Sequence, residues 1–386
     1  MIRPGAPGPL CRRGPRPLVQ HLLQWNPDRT SGTTSSPTCN GVSPPSNDAI
    51  PDLPSHVPAW ADPALIAGIA AYRRHPAQRT LIDPSVLWEE GETRLLDFGH
   101  DTQGPPVLFV PSLINRAYVL DLSPERSMMR WLAKQGVRAL LLDWGWPGAV
   151  ERSFSLTDYI EGRLQRAVLA VGAPVVLAGY CMGGLLTLAL AVQRPALVRA
   201  LALLAVPWDF HADDPAAALQ LGQRLAWFEP ALQLTGTLPV DVLQALFATP
   251  DPGVISAKYR AFGRLDPASV AAHDFVLLED WLNDGVPLAA PVARETLGGW
   301  YGANTPGLGR WRVGGSLISP EDLALPTWVA VPARDRIVPP ASALPLASKI
   351  ARAILHRPAG GHIGMAAGPR AETVLWRPML DWLRSL

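Results

Sequence analysis

Residues 177–191 read LAGYCMGGLLTLALA, and Gly179-Tyr180-Cys181-Met182-Gly183 places a thiol at the tip of a cramped turn with a glycine two residues away on either side. A nucleophile on such a turn has a strained backbone. Side chains two positions away would collide with it, so glycine suits both places. The pattern is that of the G-x-S-x-G nucleophile elbow with sulfur in place of oxygen. A helix starting directly after the turn aims its amino-terminal dipole at Cys181 and favours the thiolate. It also leaves the backbone N–H of Met182 open to a developing oxyanion. A buried structural cysteine in a glycine turn is the competing reading. The apolar strand-like run before the turn and the helix-like run after it favour the nucleophile.

A thiol nucleophile needs a base, and the base needs an orienting acid. Eight histidines are available. His362, in AGGHIGM, follows the last predicted strand, and its glycine neighbours let the ring approach the elbow. His356 lies inside that strand and reads as a packed residue, and His211 reads as a lid residue. His21, His56, His75, His100 and His273 read as tail, loop or surface positions. For the acid, VAVPARDRIVPP puts Asp335 just after the preceding strand, in a loop stiffened by Pro339 and Pro340. Asp209, after the sixth strand, is the second candidate.

Positioning these three groups requires a regular scaffold, and the chain alternates accordingly. Strands are predicted over 93–99, 106–111, 137–144, 175–179, 198–207, 326–333 and 352–358. Helices are predicted over 123–136, 155–172, 182–193, 341–351 and 370–385. VRALLLDW is a continuous apolar run, as a parallel strand buried on both faces requires. Ser123 is read as an N-cap with Pro124 at the first helical position, and Ser155 and Asp158 have capping-box spacing. Strands alternating with helices imply an α/β, doubly wound, mostly parallel sheet. The order Cys181, Asp335, His362 is that of α/β-hydrolases, nucleophile then acid then histidine. Residues 208–322 break the rhythm and read as a cap insertion that shapes an apolar acyl site. The domain reading is therefore a tail (1–58), a first core segment (59–207), a cap insertion (208–322) and a second core segment (323–386).

Composition narrows the class. The chain has 386 residues, 48% apolar, with a net charge of +1. That is ample for a large core and gives no reason to expect a nucleic-acid partner. Residues 1–58 are rich in Pro, Ser, Gly and Thr and read as disordered. The amino terminus lacks the continuous apolar stretch of a secretory signal. Cys11, Cys39 and Cys181 make no disulfide framework, and no pair has metal-ligand spacing, so a reducing cytosol is the simplest setting. Residues 167–192 carry no charge and are long enough to cross a bilayer. Gly172-Ala173-Pro174 and the glycine turn break them into a helix end, a strand and a new helix, so no membrane span is predicted.

Sulfur itself suggests a substrate. A thiolate attacking a thioester expels another thiolate of similar basicity, so the acyl group stays activated on the enzyme. Cys181 therefore suits acyl transfer from coenzyme A thioesters to an alcohol. A Cys-dependent hydrolase, either a thioesterase or an enzyme that cleaves polyester or lactone, is the alternative, and a non-catalytic granule-binding protein a third.

Several segments together resemble polyhydroxyalkanoate synthases, in particular the short, class III-like form. They are FVPSLINRAYVLDLSPERSMMRWLAKQGVRALLLDWG (109–145), GYCMGG (179–184), LLEDWLNDG (277–285), ARDRIVPP (333–340) and GGHIG (360–364). The resemblance runs from about residue 90 to the end. It implies the α/β-hydrolase fold and a cytoplasmic acyltransferase that polymerises (R)-3-hydroxyacyl-CoA, located at the polyester granule. Cys181 would carry the acyl chain, His362 would deprotonate the thiol, and Asp335 would help activate the incoming 3-hydroxyl. Met182 and Leu113 would form the oxyanion hole. No cofactor and no metal are implied. The implied partners are the acyl-CoA substrate, the polyester product, a separate synthase subunit and a second copy of the chain. One departure is local: where the family has Pro-Pro-Trp, this chain has Pro111-Ser112-Leu113.

Overall fold

Apolar runs that do not alternate must be buried on both faces, and that sends VVLAGY to the middle of a sheet. The computed structural model describes residues 12, 15, 62–100, 102, 104–248 and 252–386. The disordered-tail reading of 1–58, together with Cys11 and Cys39, lies outside these, Arg12 and Pro15 aside. One sheet contains β1 Ser85–Glu90, β2 Thr93–Asp97, β3 Pro106–Val110, β4 Arg138–Asp143, β5 Val175–Tyr180, β6 Val198–Leu204, β7 Thr327–Ala330 and β8 Ala353–His356. Their order is β1-β2-β4-β3-β5-β6-β7-β8. β2 is antiparallel to β1 and to β4, and every other neighbouring pair is parallel. β5 is buried at each of its positions.

The predicted elements recur with one shift. The helix expected from Ser123 begins later, at Met128–Lys134, capped by Ser127. Ser127 accepts from the N–H of Arg130 at 2.9 Å and donates to Asp121 at 2.6 Å. Ser123 instead closes a tight turn, taking the N–H of Arg126 on its carbonyl and its hydroxyl. Both serines are competent caps, and the buried carboxylate of Asp121 selects the second. The Ser155–Asp158 box forms in both directions, at 2.8 and 3.3 Å.

The chain divides into two compact units, Met1–Ala77 with Ala248–Val276, and Gln78–Phe247 with Leu277–Leu386. In the first, helices Pro63–Arg74 and Pro252–Phe262 cross where Gly68 meets the backbone of Tyr259. Leu65, Tyr72, Tyr259 and Val276 are buried there. His75, read as a surface or loop position, is buried in this unit, and its Nε2 lies 2.8 Å from the carbonyl of Pro267. The second unit holds the whole sheet. From the predicted insert it also takes helices Pro215–Gln223, Leu225–Thr235 and Val240–Ala248 and a π-helical stretch, Glu295–Gly302. Among the described residues no helix is long and apolar enough to cross a membrane.

Helix Met182–Gln193 follows β5 after a single residue, and the glycines explain how it fits. A Cβ on Gly183 would lie 2.0 Å from the carbonyl oxygen of Val110 and 2.6 Å from that of Pro111. These are backbone atoms with nowhere to go. Gly183→Ala is expected to destabilise the protein by about 3 kcal/mol in chemical denaturation. Gly364→Ala, in a helix where the added methyl meets nothing within 4 Å, should be neutral or stabilise by up to about 1 kcal/mol. Equal effects at the two positions would refute the close approach at Gly183.

Candidate active site

The nucleophile's geometry starts with backbone strain. Cys181 has φ 55° and ψ −129°, a conformation an L-residue adopts only when its surroundings enforce it. Its N–H donates to the carbonyl of Leu204 at 2.9 Å, and its own carbonyl accepts from Gly184 at 2.9 Å. Gly179 packs against Thr187 and Gly184, and Gly184 packs against Val206, all too closely to admit a methyl group. The tight packing forces the tip outward, and Cys181 is a free, half-buried thiol. It stands at the amino terminus of the twelve-residue helix Met182–Gln193, where the helix carries partial positive charge.

Asp335 and His362 come from the loops after β7 and β8. These loops continue the parallel ladder, with Val331 N–H on the carbonyl of His356, Ala333 on Pro358 and Arg334 on Gly360. That zipper carries Asp335 to His362. His362 Nδ1 lies 2.7 Å from Asp335 Oδ2, and both side chains are buried. The other carboxylate oxygen accepts the N–H groups of Ile337 and Val338, each at 2.9 Å. Both carboxylate oxygens of Asp335 are thus engaged, and its rotamer is set. With Nδ1 committed to Asp335, Nε2 is the ring nitrogen left for Cys181, whose charge acts on the imidazole. The structure therefore brings together Cys181, Asp335 and His362.

Electrostatics reinforce the geometry. Burial pushes the His362 pKa down, but the charge on Cys181 and the hydrogen bonds from Asp335 and Cys181 outweigh it and carry it up to about 10. The imidazolium is thus retained across neutral pH, opposite the sulfur.

Met182 opens its helix, so its N–H has no intrahelical acceptor. Leu113 is buried in the loop after β3, in the same apolar cluster as Met182, and the thiol packs against that cluster. Among the described residues the Leu113 N–H has no hydrogen-bond partner. The uncommitted donor next to the nucleophile can receive a carbonyl oxygen as it becomes anionic, and Leu113 is the candidate for the second.

The second candidate acid, Asp209, is occupied elsewhere. Its Oδ1 accepts the N–H of His211 at 3.0 Å and Asn304 Nδ2 at 2.9 Å. His211 Nε2 lies 2.7 Å from the carbonyl of Tyr301, and His356 Nε2 lies 2.7 Å from that of Val374. Both histidines are tied to backbone, and His356 is packed against Trp328.

Sequence reasoning missed three neighbours. Tyr180 stacks on the His362 ring at 5.1 Å and donates its hydroxyl to the His362 carbonyl at 3.2 Å. Its place beside the nucleophile was the one available signal. Tyr301, from the insert, has its pKa pushed up to about 12, by burial and then by the charge on Cys181. Asn304, at φ 47°, ties the insert to the segment after β6 through Asp209 and the Phe210 N–H. Neither residue carried any motif. Among the described residues no group of three His, Cys, Asp or Glu side chains is placed to hold a metal ion.

If the sulfur and Asp335 hold the proton on His362, removing either must release it. By NMR of ring-labelled histidine, the wild-type ring should titrate near pH 10. In Cys181→Ala it should titrate well below that, because the largest contribution that raises it is gone. Asp335→Asn should act in the same direction. An unchanged midpoint in both variants would overturn the ion-pair description.

Comparison with known proteins agrees with this architecture. A family model described as alpha/beta hydrolase fold matches residues 105–369. The poly(3-hydroxyalkanoate) polymerase subunit PhaC of Haloferax mediterranei is 29% identical over 311 residues, covering 77% of this chain and 63% of the relative. The protein of the same name from Synechocystis sp. is 27% identical over 321 residues, covering 77% and 83%. This chain thus spans less than two thirds of the length of the Haloferax relative. Among solved structures, a carboxylesterase of Nitrososphaera gargenis superposes with a TM-score of 0.50 at 13% identity, covering 78% of this chain and 99% of that one. The strand order, the elbow and a family match over most of the chain lead to one conclusion: this chain belongs to the alpha/beta-hydrolase fold family.

Proposed function

We propose that this protein is an acyltransferase that polymerises (R)-3-hydroxyacyl-CoA through a thioester on Cys181, with His362 as the proton carrier and Asp335 as its orienting partner. The observation that carries the reading is a strained, free thiol whose charge acts on an imidazole held at Nδ1 by a buried carboxylate. The similarity to curated polymerase subunits supports the choice of substrate.

The steps follow from the geometry. His362 Nε2 already holds the proton given up by Cys181, and the thiolate attacks the carbonyl carbon of the acyl-CoA. The carbonyl oxygen, now anionic, is met by the N–H groups of Met182 and Leu113. Collapse breaks the bond to the coenzyme A sulfur, which leaves with the proton from His362. The exchange replaces one thioester with another and keeps the acyl group activated. The 3-hydroxyl of the next unit then gives its proton to His362, and its oxygen attacks the Cys181 thioester. An ester bond forms, and the departing thiolate is left paired with the imidazolium, as at the start. The carboxylate of Asp335 stabilises the imidazolium in both halves.

Under this reading the partners are an acyl-CoA, a growing polyester and a separate synthase subunit of the kind the relatives' names suggest, with self-association of the chain as a further contact. A free active-site thiol suits a reducing cytoplasm, at the surface of the accumulating polyester.

Purified protein given 3-hydroxybutyryl-CoA, with and without a candidate partner subunit, should release free coenzyme A and form polymer. Cys181→Ala should abolish both. Asp335→Asn should leave a first burst of coenzyme A release and an acyl-Cys181 adduct visible by mass spectrometry, while chain growth slows by about a hundredfold. Coenzyme A release accompanied only by monomeric hydroxy acid would show a hydrolase instead.

A further inference from the structure

The loop that carries Leu113 is short, irregular and held mostly from outside itself. On one side the indole N–H of Trp144 donates to the carbonyl of Pro111 at 2.9 Å, and Gly183 lets the elbow helix lie directly on Val110 and Pro111. On the other side stands the end of helix Val270–Asn283 and the turn after it. The indole N–H of Trp281 donates to the carbonyl of Arg116 at 2.7 Å. The N–H of Val286 donates to the carbonyl of Ile114 at 2.9 Å, and Asn115 pairs with Gly285 in an isolated antiparallel bridge. Tyr118 adds its hydroxyl to Asp284 Oδ2 at 3.2 Å. The motif LLEDWLNDG, with Val286 just after it, thus binds the loop at three consecutive residues, 114 to 116, immediately after Leu113. Trp281 is itself buried.

We propose that Trp281 is a positioning residue: through its bond to Arg116, and with Val286 on Ile114, it holds the Leu113 N–H where the oxyanion of the acyl-transfer step forms. The proposal rests on the reading of Cys181 and Leu113 given above, and it explains how the chain keeps a donor despite Ser112-Leu113 in place of Pro-Trp. Proline would fix this loop from within. Without it, the loop takes its rigidity from hydrogen bonds made by a segment of the insert. Donor placement matters at the ångström level, because an N–H that sits short of the developing charge loses most of its effect.

The test compares two reactions of Cys181 in the full-length protein. Acylation by p-nitrophenyl acetate forms a carbon–sulfur bond and expels p-nitrophenolate, passing through an oxyanion. Alkylation by iodoacetamide also forms a carbon–sulfur bond, but it expels iodide and generates no oxyanion. Neither requires coenzyme A or chain growth, so the comparison stands even if the polymerase reading fails. Both are followed at Cys181 by peptide mass spectrometry. Trp281→Phe keeps an aromatic ring and removes the N–H. Acylation should slow about tenfold or more, with alkylation unchanged within about twofold. Should that variant not fold, Tyr118→Phe, which removes a weaker tie, should give the same selective loss at about threefold. Equal slowing of both reactions, the mark of structural damage or of altered thiol activation, would overturn the proposal. So would no slowing of either.

Discussion

The site depends on one backbone conformation, the left-handed turn at Cys181. A non-glycine residue held there costs about 1–3 kcal/mol, and the surrounding structure must supply it. The supply is local. The N–H and C=O of Cys181 are both hydrogen-bonded, and Gly179, Gly183 and Gly184 let strand β5, helix Met182–Gln193 and the ends of β3 and β6 approach without side chains between them. The strain extends to the next strand. Ala205, at φ 50°, follows the Leu204 carbonyl that accepts the Cys181 N–H, and the turn there brings Val206 onto Gly184. Two strained residues at adjacent strand ends thus brace one another, and the sulfur is fixed by backbone before any side-chain partner acts on it.

Given that fixed point, the charges can be arranged cheaply. A carboxylate buried as deeply as Asp335 must have its oxygens satisfied, and two backbone N–H groups and one imidazole do so. The imidazole is then stabilised as a cation between two anions in a dry site, where each interaction is stronger than it would be in water. Tyr180 adds a flat apolar face and anchors the His362 backbone, so ring orientation and charge state are set together.

Much of this was legible in the sequence, for identifiable reasons. Cys181, Asp335 and His362 each follow a strand whose end is marked by glycine or proline, and their order along the chain is that of the fold. The strands themselves are apolar runs with little ambiguity of period. What could not be read depends on contacts between distant segments. Trp281 looks like any core tryptophan until its indole is seen on Arg116, and Tyr301 lies 120 residues from the sulfur whose charge acts on it. The competition between Ser123 and Ser127 as helix caps is decided by Asp121, whose burial no local pattern announces. Asp209 could not be set aside as an acid from sequence, because its engagement with Asn304 is a tertiary fact.

The scaffold is shared with esterases, so fold alone does not choose between transfer and hydrolysis; the site must. Two of its features bear on that choice. Sulfur keeps the acyl group activated, so the intermediate remains reactive toward an alcohol of ordinary nucleophilicity. The insert packs Trp300 and Tyr301 against Phe210, at 5.6 Å and 4.9 Å between rings, and Tyr301 feels the charge on Cys181. An aromatic wall of that kind disfavours water and favours an acyl chain. The same insert sends Trp281 and Val286 to the oxyanion loop. One segment of chain thus both carries this aromatic cluster and holds the loop of Leu113, so under the proposed function a change in how the insert packs would alter substrate fit and reaction rate together.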